Sequence, residues 1–273
     1  MKNIYHLSVD DNEAIFYHRK TFRELDRISF SILDNIFGKQ ELEHYLLTIR
    51  SFLYRMIEVN DSFYIIIKNS IINTAFPLLR HQFETFVQLK YIFFDKSKIK
   101  YKCDMYQYFQ WRRQLKRMKC DENNEKKYLF YKPFKEIFGK YNNSKFDNWY
   151  SHIYEANISF KKLCNDIGEK ERYDALYCGL SLESHGYAIM ESNTKLINEK
   201  YYLKNFRTFD RHHTLVCINL DLMIEIFRIF TENYKLPKKL NDYTIDFMNR
   251  AKKYIENYYN ISETFSIFYD YVI

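Results

Sequence analysis

Residues 62–94 read SFYIIIKNSIINTAFPLLRHQFETFVQLKYIFF, and this long, largely apolar run determines the predicted fold. It predicts a buried helix that begins at Asp61 or Ser62 and bends near Pro77, because proline cannot donate a hydrogen bond to the preceding turn. A membrane-spanning helix needs about 20 nearly uncharged residues. Polar residues such as Lys68 interrupt the run, so we predict a buried helix and no membrane span.

The composition favours helices throughout the chain. Only 5 of the 273 residues are glycine and 3 are proline, which leaves little material for tight turns or an open sheet. We therefore predict an all-α fold, a single helical bundle of about 8–10 helices with a bent central helix, as one domain over residues 1–273. The other helices are predicted at about residues 10–37, 39–58, 98–119, 128–138, 158–167, 170–193, 210–233 and 241–259, with a loop between residues 193 and 210.

Charge and cysteine usage narrow the functional classes. The net charge of +7 is compatible with RNA or an acidic partner. The 5 cysteines form no CxxC pair, so we expect no metal site, and their odd number without an apolar N-terminal signal favours the cytoplasm. We find no P-loop, dinucleotide fingerprint, HExxH or EF-hand pattern, and we therefore expect no cofactor.

A polar stripe on one predicted helix is the strongest candidate site. Tyr173, Tyr177, Ser181 and His185 follow one another at intervals of four residues in YDALYCGLSLESH. Steps of four keep side chains on one face of a helix. The stripe predicts either a functional site, with Ser181 and His185 as catalytic candidates and the tyrosines as binding residues, or a polar interface between helices.

A second candidate lies on the long apolar helix. Arg80 and Glu84 are four residues apart in LLRHQFETFVQLKY, and Tyr91 falls on the same face two turns later. A charged pair on a buried helix needs partners, because unpaired buried charges are destabilising. Arg80 and Glu84 are therefore candidates either for catalysis or for a structural ion pair.

These segments carry a resemblance to a known family. LLRHQFETFVQLKY, then NWYSHIYEANISFKKLCNDIG and YDALYCGLSLESHG, resemble a bacterial helical family catalogued as domain of unknown function 5677. The resemblance covers roughly residues 63–193. It implies a helical bundle that is distantly similar to the HEPN domains of toxins and phage-defence proteins. The matching positions are Arg80, Glu84, Tyr91, Trp149, Tyr177, Ser181 and His185.

The likeness to HEPN domains draws attention to RTFDRHH. HEPN-type ribonucleases use an Arg followed after four to six residues by a His, for metal-independent phosphoryl transfer across a dimer. Here Arg207 precedes His212 and His213 by five and six positions. The Arg would stabilise charge on the phosphate and the His would transfer a proton. The alternative is a basic loop that caps the helix beginning near Asp210.

A basic, aromatic segment completes the candidates. In QWRRQLKRMK, Trp111, Arg112 and Arg113 combine base-stacking and phosphate-binding side chains. The alternative is a solvated basic helix face.

Two functional hypotheses follow from the sequence. The first is a cytosolic toxin- or defence-type protein that cleaves RNA without a metal, either as a monomer or as a homodimer. The second is a non-catalytic helical module that binds a small ligand or a partner.

Overall fold

The computed structural model of the chain describes residues 9–38, 42–69, 71–117, 125–139, 146, 148–184, 194–197, 200–203 and 212–258. A 3₁₀ turn occupies Lys96–Lys98, and a π-helical turn occupies Tyr173–Tyr177. The all-α class is confirmed. The helices are α1 (Val9–Phe37), α2 (His44–Lys68), α3 (Ile72–Phe94), α4 (Ile99–Arg117), α5 (Glu125–Phe138), α6 (Trp149–Ile153), α7 (Phe160–Asp166), α8 (Lys170–Arg172), α9 (Cys178–Ser184), α10 (His212–Asn233) and α11 (Lys238–Tyr258).

Two helices end just before a glycine, close to the positions where the sequence predicts that they end. The backbone N–H of Gly38 donates to the carbonyl of Asp34 over 3.0 Å. A Cβ atom at this position would lie 2.3 Å from the same oxygen, so only glycine fits. Gly168 follows α7 with φ of +76°, a left-handed conformation that glycine adopts without strain.

The break between α2 and α3 differs from the predicted one. Asp61 and Ser62 lie inside α2 and do not begin a helix. The Ser62 hydroxyl donates to the carbonyl of Glu58 in its own helix over 2.8 Å, as serine does within a helix. The Asn69 side chain instead donates to the carbonyl of Ile65 over 2.7 Å at the true end of α2. A bend at Pro77, which lies within α3, stays a prediction.

A short hairpin occupies part of a segment that was predicted as a loop. Strands β1 (Thr194–Ile197) and β2 (Lys200–Leu203) pair antiparallel, with Thr194 opposite Leu203 and Ile197 opposite Lys200. The loop prediction between residues 193 and 210 is wrong for these strands. Four-residue strands are too short for period-two alternation to distinguish them from a loop.

The chain groups into two compact units, and the single-domain organisation stays a prediction. Unit 1 comprises residues 1–38, 53–87 and 171–273, and unit 2 comprises residues 39–52 and 88–170. No described helix combines the length and apolar character needed to cross a bilayer.

Helix α10 is the core of unit 1. It packs against α11, and α1 packs against both. Nearly every described side chain between Leu215 and Phe230 is buried, and Phe227 also contacts the ring of Phe247 on α11. Removing this apolar surface from water is the main favourable contribution to folding.

Unit 2 is organised around α4, which packs against α5 and α6. The Tyr106 ring on α4 contacts Phe52 on one side and Trp149 on another, with centroids 4.8 and 5.6 Å apart. Tyr108 is fully buried and contacts Phe138 of α5. Aromatic rings therefore supply much of the core of this unit.

Candidate functional site

Two sequence motifs meet in unit 1 and form one hydrogen-bonded cluster. Arg80 Nε donates to Glu84 Oε1 over 3.0 Å, and Arg80 Nη2 donates to the Tyr177 hydroxyl over 3.1 Å. The Tyr177 hydroxyl donates to the same Glu84 oxygen over 2.9 Å. We name Arg80, Glu84 and Tyr177 the tyrosine-bridged cluster. The Arg80 and Glu84 side chains are 22% and 30% exposed, so the cluster retains access to solvent.

Aromatic stacking extends the cluster along the helix. The Arg80 guanidinium carbon lies over the Tyr177 ring, 5.1 Å from its centroid. The Tyr173 ring stacks on Tyr177 with centroids 5.0 Å apart and an angle of 22° between the planes. Both tyrosines belong to the π-helical turn, a local widening that is common at functional sites. Ser181 lies on α9, four residues further on, and is half-buried.

The electrostatics keep the phenol protonated. Burial and the charge of Glu84 raise the pKa of Tyr177 to about 12, so its hydroxyl remains a donor at neutral pH. Burial lowers the pKa of Arg80, but the hydrogen bonds to Tyr177 and Glu84 outweigh this effect and raise it overall. The site therefore presents a guanidinium, a carboxylate and a neutral phenol.

An ion pair that the sequence analysis did not predict fixes the start of the π-helical turn. Arg172 Nε and Nη2 donate to the two carboxylate oxygens of Asp221 on α10 over 3.0 and 3.3 Å. Glu225 lies 3.5 Å from the same guanidinium, whose carbon lies 5.9 Å from the Phe86 ring centroid. Bidentate pairing restricts both side chains. The contact joins α8 and α10 across 49 residues of sequence, and no local spacing indicates it.

His81, next to Arg80 in the sequence, is a second residue near the site that the sequence motifs did not indicate. Arg55 Nε donates to His81 Nε2 over 2.9 Å, and burial together with the Arg55 charge lowers the pKa of this imidazole. His81 is therefore neutral at physiological pH and accepts a hydrogen bond from an arginine. Its neighbours Arg80 and Glu84 form a four-residue spacing in LLRHQFETF, whereas His81 belongs to no such pattern.

Two residues that the sequence associates with the site lie in unit 2. The Tyr91 and Trp149 rings are 5.6 Å apart, and Trp149 Nε1 donates to Gln88 Oε1 over 2.9 Å. Both are buried. The Lys102 ammonium donates to the Tyr91 carbonyl over 2.6 Å and lies 4.2 Å from the centroid of its ring. Burial lowers the pKa of Lys102 to about 8. These contacts favour a packing role for Tyr91 and Trp149.

The remaining candidates have varied placements. His185 and Arg207 lie outside the described residues. His212 is 2% exposed, and its ring centroid lies 6.0 Å from that of His213, which is half-buried. This burial favours a structural role over direct contact with RNA.

The basic segment lies on α4. Arg113 is exposed, whereas Trp111 and Arg112 are half-buried. The Arg112 guanidinium carbon lies 5.5 Å from the Phe109 ring centroid.

A second cluster of the same composition provides a control. Arg250 Nη1 and Nη2 donate to the two oxygens of Glu24 over 3.1 and 3.3 Å. The Tyr243 hydroxyl also donates to Glu24, over 3.1 Å. We name Glu24, Tyr243 and Arg250 the control cluster. It joins α1 to α11 and contains none of the motif residues.

Tyr177→Phe is expected to destabilise the protein by about 1–2 kcal/mol, because it removes a donor to Glu84 and an acceptor for Arg80. Tyr243→Phe removes one hydrogen bond to a carboxylate that keeps its arginine, and is expected to cost less than about 1 kcal/mol. The measurement is urea-induced unfolding of both variants. Equal midpoints for the two variants would contradict the bridging role of Tyr177.

Among the described residues, no group of three or more His, Cys, Asp or Glu side chains has an arrangement that could hold a metal ion. No curated protein and no solved structure shows significant similarity to the chain. A family model, described as a family of unknown function (DUF5677), matches residues 46–201, which is more than half of the chain. This range contains Arg80, Glu84 and Tyr177. The chain therefore belongs to the DUF5677 family.

Proposed function

We propose that the chain is a metal-independent ribonuclease of the toxin or defence type, with the tyrosine-bridged cluster as its reacting site. One observation carries the proposal. A carboxylate and a guanidinium from α3 meet a phenol from a segment 93 residues away, at a place that solvent can reach. A base and a cation in direct contact are the groups that cleavage of RNA through its 2′-hydroxyl requires.

The reaction assigns one role to each group. Glu84 takes the proton of the 2′-hydroxyl, and the resulting oxygen attacks the adjacent phosphorus. The bond from phosphorus to the 5′-oxygen breaks, which leaves a 2′,3′-cyclic phosphate and a 5′-hydroxyl. Arg80 stabilises the negative charge that accumulates on the phosphoryl oxygens. The leaving oxygen needs a proton, and the proposal assigns its donation to His185, four residues beyond Ser181.

Tyr177 orients the pair. Its hydroxyl contacts both Arg80 and Glu84. Because its pKa is about 12, it remains a neutral donor and does not compete with Glu84 as a base. Exposed cations such as Arg113 on α4 are suited to contacts with the phosphates of RNA. The net charge of +7 also favours the binding of RNA.

The test is induced expression in a bacterial host, followed by growth and by the integrity of total RNA. The proposal expects growth arrest and discrete RNA fragments. Purified protein should produce the same fragments in EDTA, with 2′,3′-cyclic phosphate ends. Normal growth combined with intact RNA in both assays would contradict the proposal, and fragments that appear only with a divalent metal would contradict its chemistry.

The second candidate is a non-catalytic module that binds a small ligand. It is favoured by the mutual hydrogen bonds of Arg80, Glu84 and Tyr177, because side chains that orient one another also suit a preorganised binding site. A thermal-shift screen with nucleotides and metabolites tests it. A ligand that raises the melting temperature of the wild type but not of Arg80→Ala would support binding.

A further inference from the structure

Three histidines and a tyrosine meet inside unit 1. The His18 ring on α1 stacks on the His212 ring of α10 with centroids 5.0 Å apart, and His213 lies edge-on to His18 at 5.3 Å. The Tyr254 hydroxyl on α11 is 2.8 Å from His18 Nε2 and 3.3 Å from His213 Nδ1. We name His18, His212, His213 and Tyr254 the histidine cluster. The proposed ribonuclease site uses none of them.

The cluster connects four helices, α1, α2, α10 and α11. His212 Nε2 lies 3.2 Å from the Ile67 carbonyl of α2 and donates to it when it carries the proton. His18, His212 and Tyr254 are all buried. Stacked imidazoles attract one another while neutral, but protonated rings at these distances repel. The contacts that hold α1 to α10 and α11 therefore depend on the charge state of the cluster.

The surroundings disfavour protonation. Burial and the charges of His212 and His213 lower the pKa of His18 to about 3. His212 and His213 on α10 and the phenol of Tyr254 on α11 face His18. Imidazoles and a phenol are neutral or cationic at neutral pH, so these three groups do not supply a negative charge to His18. Burial therefore disfavours a charged His18.

We propose that the histidine cluster is an acid-sensitive latch, which holds α1 on α10 and α11 while its imidazoles are neutral and releases α1 when they are protonated. An unconstrained histidine has a pKa of 6.5, so released His18 binds protons more readily than latched His18. The contribution of His18 to the free energy that holds α1 in place is consequently fully present above pH 6.5, and it decreases as the pH falls below 6.5. Histidine is the side chain whose ordinary titration covers this range.

Hydrogen exchange of the whole chain tests the latch. Between pH 7.5 and 5.0, the protection factors of α1 amides, corrected for the intrinsic pH dependence of exchange, are expected to fall about 30-fold from His18 alone. His18→Gln retains a partner for Tyr254 and cannot be protonated, so its α1 protection should be nearly independent of pH. His44→Gln, at an exposed histidine on α2, should behave as the wild type does.

Three results would overturn the latch. The first is an α1 protection factor that does not change with pH. The second is an equal, simultaneous loss of protection in α10 and α11, which would show acid unfolding of the unit and not release of α1. If His18→Gln does not fold, NMR titration of the wild-type imidazoles replaces it. A neutral His18 below pH 5 supports the latch, and ordinary titration near 6.5 is the third overturning result.

Discussion

Replacing Glu84 with Gln is expected to reduce RNA cleavage by about 100-fold or more, because general-base catalysis contributes about 10²–10⁴-fold to such reactions. The amide keeps the size of the side chain and an oxygen that accepts from Arg80 and Tyr177. It does not take up the 2′-hydroxyl proton. The fold should therefore survive while cleavage is lost, as measured by initial rates on a labelled oligoribonucleotide.

Glu24→Gln is the matched control. Glu24 accepts hydrogen bonds from an arginine and a tyrosine, as Glu84 does, but it belongs to the control cluster between α1 and α11. Glu24→Gln is expected to lose comparable stability and to cleave RNA at the wild-type rate. If both variants lose activity in proportion to their stability, the tyrosine-bridged cluster is structural. If Glu84→Gln cleaves RNA normally, Glu84 is not the base.

The largest loss of stability is expected for Trp149→Ala, at about 3–5 kcal/mol. Trp149 is 5% exposed, and its ring contacts Tyr91 and Tyr106, each with centroids 5.6 Å apart. Its Nε1 also donates to Gln88. Truncation removes these contacts and leaves a cavity in unit 2. Urea unfolding followed by circular dichroism measures the change.

Two further variants define the origin of this loss. Trp149→Phe keeps an aromatic ring and is expected to lose only about 1–2 kcal/mol. Trp111→Ala, at the half-buried tryptophan of α4, should also lose less than Trp149→Ala. A Trp149→Ala variant with the wild-type midpoint and weaker RNA binding would instead support the binding role that the sequence suggests.

Long helices with strong apolar patterns were predictable from the sequence. The bounds of α1 and α10 agree with prediction to within a few residues, because capping residues and apolar spacing indicate the same limits. The end of α2 was not predictable in this way. Asp61 and Ser62 are typical of helix starts, yet they lie within α2, where neighbouring Asn60 donates to Asp26 of α1 over 3.3 Å. A tertiary contact of this kind has no local signal.

The candidate site was predicted in its parts but not in its assembly. The four-residue spacings identified Arg80 and Glu84 on one helix and Tyr177 on another. Their mutual contacts depend on packing between distant segments, as does the pairing of Arg172 with Asp221. Nor could spacing show that His212 is buried, because a histidine near a helix start is equally compatible with solvent or with a core.

The π-helical turn makes the chain sensitive to a change in length. A π turn is equivalent to one residue inserted into an α-helix. Deleting a single residue between Lys170 and Cys178 would replace the wide turn with an ordinary α-helical turn, which keeps the helical segments on either side in phase but moves the side chains within the turn, including Tyr177. Tyr177 would then no longer meet Arg80 and Glu84. A one-residue deletion here is therefore expected to be more damaging than most single substitutions on the same helix, although no side chain of the cluster is itself removed.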